Sequence, residues 1–533
     1  MKANKAGLYY PYVLILAWGI GCFAFFQCLY HYHFFYQEQN QIFLFSTGYL
    51  GTYFQKPAWL ACMAGDFLTQ FYYYLYLGPA ILTVTLLTAG DLTRRALQYA
   101  GFNKHWAFAV AFIVMTIEAI FCLKTNYRLS SVIALCGGTA AYILIHWVPA
   151  ARWWMKATAI TVASVLTYWM FGYGLWVLQI LLLFDLVCHK KSRSLLPAML
   201  FSFMPLILLF PIIKTGHHCY YLDTTQSLSY PGIGKFSQPD FLLEKAFAVD
   251  NEYHFGNYDK VEQMVENAKP EDRTDMMLFF YNLIQAQKGE LPDKLLRFTP
   301  NQLGTFYAIG PETPKLIIIN MNELYWALGD MTLTERAAMM THVFSPQNRN
   351  VRMIKRLAEC NLVSGDTLAA RKYLRLLQKT WVYADWAQRM TQGEPKSYRY
   401  ILEKRKFANH ADTVRLSDNL HLVMMQLLDS NPNNTTALDY ILCSTLLLKD
   451  MENFKRDYDR YCYQPGNERI KPLYQQALMI YLAGTDAPKE EWEKYIHDPV
   501  QIKRFEEYSQ QRGNPRFRDT YWYYFDTAKA PQP

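Results

Sequence analysis

The sequence predicts an all-α protein in two parts, a polytopic transmembrane helical bundle of about seven spans and a soluble helical-repeat domain that follows it. Three observations lead to this prediction. Up to about Ile213 the chain is a series of apolar runs with few charges, whereas charged residues become frequent after Lys214. No run in the second half is long enough to cross roughly 30 Å of hydrocarbon. In that half, short glycine turns recur at intervals close to the length of one helix pair.

The length and charge of the chain limit the classes of protein it can belong to. With 533 residues it exceeds one hydrophobic core, so we expect a transmembrane domain at 1–213, a linker at 214–239 and a helical domain at 240–533. The mean hydropathy of -0.07 averages two unlike halves. Many basic residues behind the net charge of +8 lie between apolar runs, where they set membrane orientation. We therefore expect a lipid bilayer and no nucleic acid as a partner.

Each predicted span is a window of about 20 apolar residues. Five such windows are Tyr9–Leu29, Phe71–Gly90, Trp106–Leu123, Ser130–Ala150 and Ser194–Ile213. A longer run, Ala157–Cys188, contains FGYG at Phe171–Gly174, and glycine permits a tight turn there, so this run is interpreted as two spans. The first window has no small-residue cleavage site and is expected to remain as a span.

The distribution of basic residues predicts the orientation of these seven spans. With the N-terminus in the cytoplasm, the only basic residues in the outer loops are Lys56, Lys124 and Arg128. The positive-inside rule expects few basic residues on the outer side. An odd number of spans then places the region after Lys214 outside the cytoplasm. If FGYG were not a turn, the HKKSR segment (His189–Arg193) would fall on the outer side, against the same bias.

The second half shows a repeated helix–turn–helix pattern. Glycines occupy the turns at Gly256, Gly289, Gly329 and Gly365, which are separated by 33, 40 and 36 residues. A degenerate copy of the turn, without glycine, lies at Lys449. The segment Asn350–Thr380 resembles the tetratricopeptide repeat family, whose period is about 34 residues. That resemblance implies a stacked body with a concave surface for a peptide or a partner protein. A plain helical spacer is the alternative.

Three carboxylates are candidates for a reactive site. Glu118 lies several residues from either end of the third span, and an ionisable group in hydrocarbon is expensive enough to suggest a function. The alternative is that it faces a polar cavity or hydrogen-bonds a neighbouring helix. Glu38 and Asp66 lie in Tyr30–Gln70, the longest outer loop, which begins directly after the first span.

An acidic residue just outside span one, followed by amphipathic helices, resembles polyprenyl-phosphate-sugar-dependent glycosyltransferases of the GT-C superfamily. The resemblance implies that Glu38, with Asp66, acts beside the acceptor as a base or metal ligand. It also implies that basic residues hold the phosphate of a polyprenyl-phosphate lipid. A single carboxylate can accept a proton, but it cannot alone assemble a two-ligand metal site.

No metal site or cofactor is predicted from the remaining residues. Cys219, Cys360, Cys443 and Cys462 are scattered without CxxC spacing, which argues against zinc and leaves disulfides open. His31 and His33 are two positions apart and lie on different sides of a helix. The HHC segment (His217–Cys219) lies on the same predicted side of the membrane, but no spacing requires a shared metal.

The whole-chain pattern resembles an uncharacterised family of multi-span bacterial envelope proteins with a tetratricopeptide-like C-terminal half. This resemblance implies a location in the bacterial inner membrane, with the C-terminal domain in the periplasm, and implies no activity. Our leading hypothesis is a membrane protein that displays a helical-repeat domain for protein interaction or cell-envelope assembly. The alternative is a GT-C-like glycosyltransferase with Glu38 as base or metal ligand and Asp66 or Glu118 in support. Whether the protein is an enzyme stays open.

Overall fold

The computed structural model describes residues 6–148, 153–188, 224–298, 306, 315–345, 348–408, 419–463 and 470–529. These residues form helices and connecting turns, and none of them lies in a β-strand. The chain divides into two compact units. The first unit comprises Met1–Glu244, Pro346–Arg352 and Arg375–Gln388, and the second comprises Lys245–Ser345, Met353–Leu374 and Arg389–Pro533. The first unit thus includes two segments from the second half of the chain.

The helices of the first half occupy most of the predicted apolar runs. They are α1 (Ala6–Cys28), α2 (Tyr32–Gln39), α3 (Thr47–Gly51), α4 (Trp59–Thr69), α5 (Leu77–Tyr99), α6 (Lys104–Phe121), α7 (Leu129–His146), α8 (Trp153–Phe171), α9 (Gly174–Cys188) and α10 (Thr224–Ser229). The run that contains FGYG is broken into α8 and α9, as predicted, and Gly172 there has a φ of 55°. The predicted span Ser194–Ile213 and the HKKSR and HHC segments lie outside the described residues.

Fewer than seven of the described helices are long and apolar enough to cross a membrane. The two that are long and apolar enough by themselves are α6 and α7. The part of α1 from Val13 bends by 72° into α2, and counting this bent pair as one span gives three. The count of seven therefore stays a prediction.

The helix α5 differs in position from the predicted span Phe71–Gly90. At its start, a 3₁₀ turn spans Gln70–Tyr73, and the Tyr72 ring is buried against Phe34 with ring centroids 4.8 Å apart. At its end, Asp91 accepts from Arg94 at 2.6 Å and pairs with Arg95 at 2.7 Å. Pairs at these spacings stabilise a helix, so α5 continues beyond the apolar segment.

Small residues allow close helix contacts inside the first unit. A Cβ on Gly65 of α4 would lie 2.8 Å from the backbone of Ser130 in α7. A Cβ on Gly138 of α7 would lie 2.2 Å from the carbonyl oxygen of Gly174. Glycine at these two positions lets neighbouring backbones approach directly, which is typical of helix packing in membranes.

The second half of the chain is built from further helices. They are α11 (Phe241–His254), α12 (Tyr258–Asn267), α13 (Asp275–Lys288), α14 (Leu291–Lys294), α15 (Lys315–Leu328), α16 (Met331–Phe344), α17 (Val351–Ser364), α18 (Thr367–Leu377), α19 (Ala384–Gln392), α20 (Pro395–Phe407), α21 (Leu420–Ser430), α22 (Thr435–Leu447), α23 (Met451–Asp457), α24 (Pro472–Gly484), α25 (Lys489–Tyr495), α26 (Pro499–Gln510) and α27 (Tyr521–Thr527). Each predicted glycine turn links two of these helices.

The turn residues adopt the left-handed backbone that ends a helix. Gly365 has a φ of 86° and no heavy atom within 4 Å of a Cβ placed on it, so backbone conformation rather than space favours glycine there. Lys449, the degenerate copy, adopts a φ of 57°. The five helix–turn–helix pairs are therefore observed, while their assignment to the tetratricopeptide class stays a prediction.

The second unit has its own apolar core. Phe279, Phe280 and Tyr440 are almost fully buried within it. The terminal helix α27 joins the same core, because Trp522 is buried and its Nε1 donates to the Gln476 carbonyl at 2.9 Å. The aromatic residues Tyr521, Trp522 and Tyr524 of α27 thus pack this helix into the core.

Candidate functional site

The predicted outer loop Tyr30–Gln70 folds into three short helices, α2, α3 and α4, and all three candidate carboxylates belong to the first unit. Asp66 lies on α4 and is buried. Its Oδ2 accepts a hydrogen bond from the Tyr53 hydroxyl at 2.7 Å. Its main-chain carbonyl accepts from Gln41 Nε2 at 3.0 Å, which ties the end of α2 to α4.

Arg349 is the cation nearest to Asp66 and comes from a distant part of the chain. Its Nη1 lies 3.6 Å from Asp66 Oδ2, which is too far for a hydrogen bond. The same Nη1 donates to the hydroxyl of Tyr49 at 3.0 Å and approaches that of Tyr53 at 3.4 Å. The guanidinium also lies over the Tyr49 ring, 4.8 Å from its centroid. These contacts hold Arg349 beside the Asp66 carboxylate.

Burial and neighbouring charges keep Arg349 charged and the Tyr49 and Tyr53 phenols neutral. Burial lowers the pKa of Arg349, but Tyr49, Tyr53 and Asp66 outweigh it, and the net shift is upward. Burial raises the pKa of Tyr49 to about 12, and it also raises the pKa of Tyr53. Both phenols therefore stay neutral and can donate hydrogen bonds at neutral pH.

These residues surround a polar cavity, which we call the Asp66 pocket. Its volume is about 90 Å³. Its walls come from the segment before α4, from α4, from the α6–α7 loop, from the turn after α10 and from Arg349. The charged side chains that line it are Lys56, Asp66, Arg128 and Arg349. It therefore combines one carboxylate with three cations.

Glu38 lies on α2 and is held by a different partner. It is buried, and its two carboxylate oxygens lie 3.0 Å and 3.2 Å from the hydroxyl of Tyr383. The residues that follow it are also bound by the second half of the chain. Gln39 Oε1 accepts from Arg352 at 3.1 Å, and Asn40 Oδ1 accepts from Asn350 at 3.0 Å. The end of α2 is thus covered by the two later segments of the same unit.

Glu118 lies on α6 and has a hydrogen-bond partner in the loop that follows this helix. Its Oε2 accepts a hydrogen bond from the Tyr127 hydroxyl at 2.6 Å, and the side chain is buried. Each of the three candidate carboxylates therefore accepts a hydrogen bond from a different tyrosine. Of the three, Asp66 lines the pocket, and neither Glu38 nor Glu118 is among its lining residues.

The residues of the Asp66 pocket favour the binding of an anion over the binding of a metal ion. In the described part of the chain, no group of three or more His, Cys, Asp or Glu side chains is placed to hold a metal ion. His33 lies beside Glu244, with Nδ1 3.9 Å from Oε2, rather than beside Glu38. Cys360, Cys443 and Cys462 are free thiols, and Cys219 lies outside the described residues. A pocket with surplus positive charge suits an anionic group.

The pocket residues that the sequence did not single out are basic. Lys56 and Arg128 were expected only as outer-loop charges, and Arg349 had no local signal at all, because it follows the predicted transmembrane domain by more than a hundred positions. Its proximity to Asp66 is a long-range contact. Such a contact cannot be derived from spacing along one sequence.

Comparison with known proteins identifies a family and no function. No curated protein and no solved structure matches the chain. One family model, described as a family of unknown function (DUF6057), matches residues 8–528. Because this match covers nearly the whole sequence, the chain belongs to the family of unknown function DUF6057.

Proposed function

We propose that this is an integral protein of the bacterial inner membrane that displays a helical-repeat domain in the periplasm, where the domain holds a protein partner or a component of envelope assembly. The membrane part of the proposal is supported by α6 and α7, and by the bent pair of α1 and α2. Helices also occupy the positions of six of the seven predicted spans. With seven spans and a cytoplasmic N-terminus, residues 240–533 lie in the periplasm.

The observation that carries the partner-binding part is an apolar helix face in the second unit. At the end of α16, Val343 and Phe344 are 60% and 76% exposed, and Met339 and Met340 beside them are also exposed. Large apolar side chains that cluster on a surface commonly mark a protein interaction site. Methionine suits such a surface because its flexible side chain adapts to a partner. We call these four residues the α16 face.

A photo-crosslinking experiment in cells tests this proposal. A photoreactive amino acid at Val343 should form an adduct with an envelope protein. The same amino acid at Lys489, whose side chain is 85% exposed on a charged helix, should form none. A reporter fused after residue 240 should be active only in the periplasm. A cytoplasmic reporter would refute the topology, and a lack of protein adducts at Val343 would refute the partner.

A second candidate function is the transfer of a sugar from a polyprenyl-phosphate lipid. The Asp66 pocket favours it, because Asp66 lies there with three basic residues, as a site for a phosphorylated donor requires. In this version Asp66 is the base or metal ligand, and Glu38 and Glu118 support it from outside the pocket. The order of importance thus differs from the one expected from the sequence.

Matched substitutions separate the proposed role of Asp66 as base or metal ligand from the supporting role of Glu38. If the protein transfers a sugar, Asp66→Asn should abolish the glycan product in a complementation assay. Glu38→Gln should then leave partial activity, because Glu38 does not line the pocket. Both variants need comparable protein levels in the membrane. A normal glycan profile with Asp66→Asn would end this candidate, while the partner-binding proposal would remain.

A further inference from the structure

The side chains that line the Asp66 pocket carry more positive than negative charge. Lys56, Arg128 and Arg349 face one carboxylate, so the lining carries two more positive than negative charges. Asp66 is already bound by Tyr53, and Arg349 is 3.6 Å away. Within the described part of the chain, the Arg128 guanidinium has neither a hydrogen bond nor a carboxylate partner, whereas its main-chain carbonyl accepts from the Ser131 N–H at 2.9 Å. A partly buried arginine in that state is available for an anion.

The pocket lies where lipid headgroups are expected under the proposed topology. Its lining residues Asn126, Arg128 and Ser130 connect the end of α6 to the start of α7, the two helices that are long and apolar enough to cross a membrane. A basic pocket at the end of a membrane helix lies at the depth of the lipid phosphates, and arginine pairs well with phosphate oxygens. This step rests on the proposed membrane function.

Aromatic side chains next to the pocket also support its location at the depth of the lipid headgroups. Trp59 lines the pocket, and its ring centroid is 4.5 Å from that of Phe54 and 5.6 Å from that of Trp169. Phe54 and Trp169 are each more than 40% exposed. Tryptophan is enriched at the membrane–water interface, because its ring is apolar and its N–H is polar. This aromatic cluster would lie in the headgroup layer beside the pocket.

The size of the cavity limits the ligand. A volume of about 90 Å³ is well below the roughly 300–1,000 Å³ of pockets that enclose a drug-sized ligand. It suits a small anionic group such as phosphate. Two guanidinium groups can each present paired N–H donors, a geometry that fits phosphate oxygens. The remainder of a larger ligand would therefore lie outside the cavity.

We propose that the Asp66 pocket binds a phosphate group, with Arg128 and Arg349 as its principal ligands and Lys56 as an additional cation. The phosphate can come from a lipid headgroup or from free phosphate. The Tyr53 hydroxyl donates to Asp66 Oδ2 at 2.7 Å and so fixes the orientation of that carboxylate beside the proposed site. Phosphate binding at this site does not require a transfer reaction. The binding proposal therefore does not depend on the sugar-transfer function.

The test uses the full-length protein in a phosphate-free detergent, with bound lipid measured by native mass spectrometry. Phosphatidic acid and diacylglycerol are the probes, because they differ only in the phosphate. Phosphatidic acid should bind, and diacylglycerol should not. Arg128→Gln should weaken phosphatidic acid binding about tenfold or more, since hydrogen bonds to charged groups are strong. Lys124→Gln is the matched control, because Lys124 is an exposed cation in the same loop that does not line the pocket.

Inorganic phosphate and Arg128→Lys complete the design. Displacement of the lipid by excess inorganic phosphate would show that the phosphate group alone is recognised, and lack of displacement would identify the lipid as the source. Arg128→Lys, which keeps the charge and loses the planar fork, should bind with intermediate affinity even if Arg128→Gln misfolds. Equal binding of both lipids, or equal losses in Arg128→Gln and Lys124→Gln, would overturn the proposal. Because the assay uses solubilised protein, a failed topology or partner experiment is a separate result.

Discussion

The hydroxyl of Tyr383 lies 3.0 Å and 3.2 Å from the two carboxylate oxygens of Glu38, a residue that precedes it by 345 positions. Both side chains are buried. Burial raises the pKa of Tyr383 well above its usual value, and the Glu38 charge raises it further, so the phenol keeps its proton and donates. This contact anchors a late segment of the chain to the first loop within one compact unit.

Loss of this hydroxyl should destabilise the protein. Tyr383→Phe should lower the free energy of unfolding by about 1–3 kcal/mol, because a buried carboxylate loses a donor. The effect should be smaller in a Glu38→Gln background, because a neutral amide depends less on that donor. Chemical denaturation of detergent-solubilised protein measures both effects.

Tyr523→Phe is the control for that experiment. The Tyr523 hydroxyl has no hydrogen-bond partner in the part of the chain that the structure describes, so this change should be nearly neutral. If Tyr383→Phe and Tyr523→Phe were equally stable, the contact between Tyr383 and Glu38 would contribute nothing to the fold.

The contact between α4 and α7 gives a second prediction. Gly65→Ala should cost about 1–3 kcal/mol of stability, because its Cβ would lie 2.8 Å from the Ser130 backbone and the helices would have to separate. Gly51→Ala is the matched control, since no atom lies within 4 Å of a Cβ there. Thermal melting in detergent compares the two variants. Similar melting midpoints would mean that α4 and α7 do not pack this closely.

Much of the fold follows from local patterns in the sequence. The break at FGYG was predictable because two glycines interrupt a run too long for one helix, and the turns at Gly256 and Gly365 were predictable from their spacing. The start of α5 was not predictable from hydropathy. It depends on Tyr72 packing against Phe34, which is a contact between separate segments.

The candidate site was only partly predictable for the same reason. Asp66 and Glu38 stand out because carboxylates are scarce in the first loop. Their partners Arg349 and Tyr383 lie far along the chain, in segments that the repeat pattern assigns to another domain. Propensity and spacing describe neighbours in sequence, so one sequence without covariation cannot reveal which distant residue completes a pocket.

A third prediction concerns the pH dependence of stability through Glu244. Burial raises the pKa of this carboxyl from 4.5 to about 8, although main-chain hydrogen bonds from Tyr32 and His33 oppose the shift. The folded protein therefore binds the proton more tightly than the unfolded chain. This contribution to stability is full below pH 4.5 and is lost as the pH rises toward 8, with a slope of at most about 1.4 kcal/mol per pH unit.

Glu244→Gln isolates this contribution, because an amide does not titrate. The difference in unfolding free energy between wild type and Glu244→Gln should change between pH 5 and pH 8, with the variant gaining relative stability as the pH rises. Glu271→Gln, which alters a residue in an exposed turn, is the control and should show no such trend. A difference that is constant with pH would contradict a raised pKa for Glu244.

The last prediction concerns a buried ion cluster in the second unit. Arg356 donates to Glu323 at 2.6 Å and to Glu359 at 2.9 Å, and all three side chains are less than 10% exposed. Arg356→Gln should cost about 3–5 kcal/mol, because two buried carboxylates lose their cation. Replacing all three residues with Met or Leu should cost less, because neither the two carboxylates nor the guanidinium is then left buried without its closest partner.

An exposed pair of the same type provides the comparison. Arg399 donates to Glu403 at 2.8 Å, but the two side chains are 80% and 60% exposed. Arg399→Gln should therefore change stability by no more than about 0.5 kcal/mol, since water already solvates both charges. Chemical denaturation of the full-length chain measures the two variants under one condition. Equal effects at Arg356 and Arg399 would show that burial does not govern the strength of this cluster, whereas a large loss restricted to Arg356 would identify it as a structural centre of the second unit.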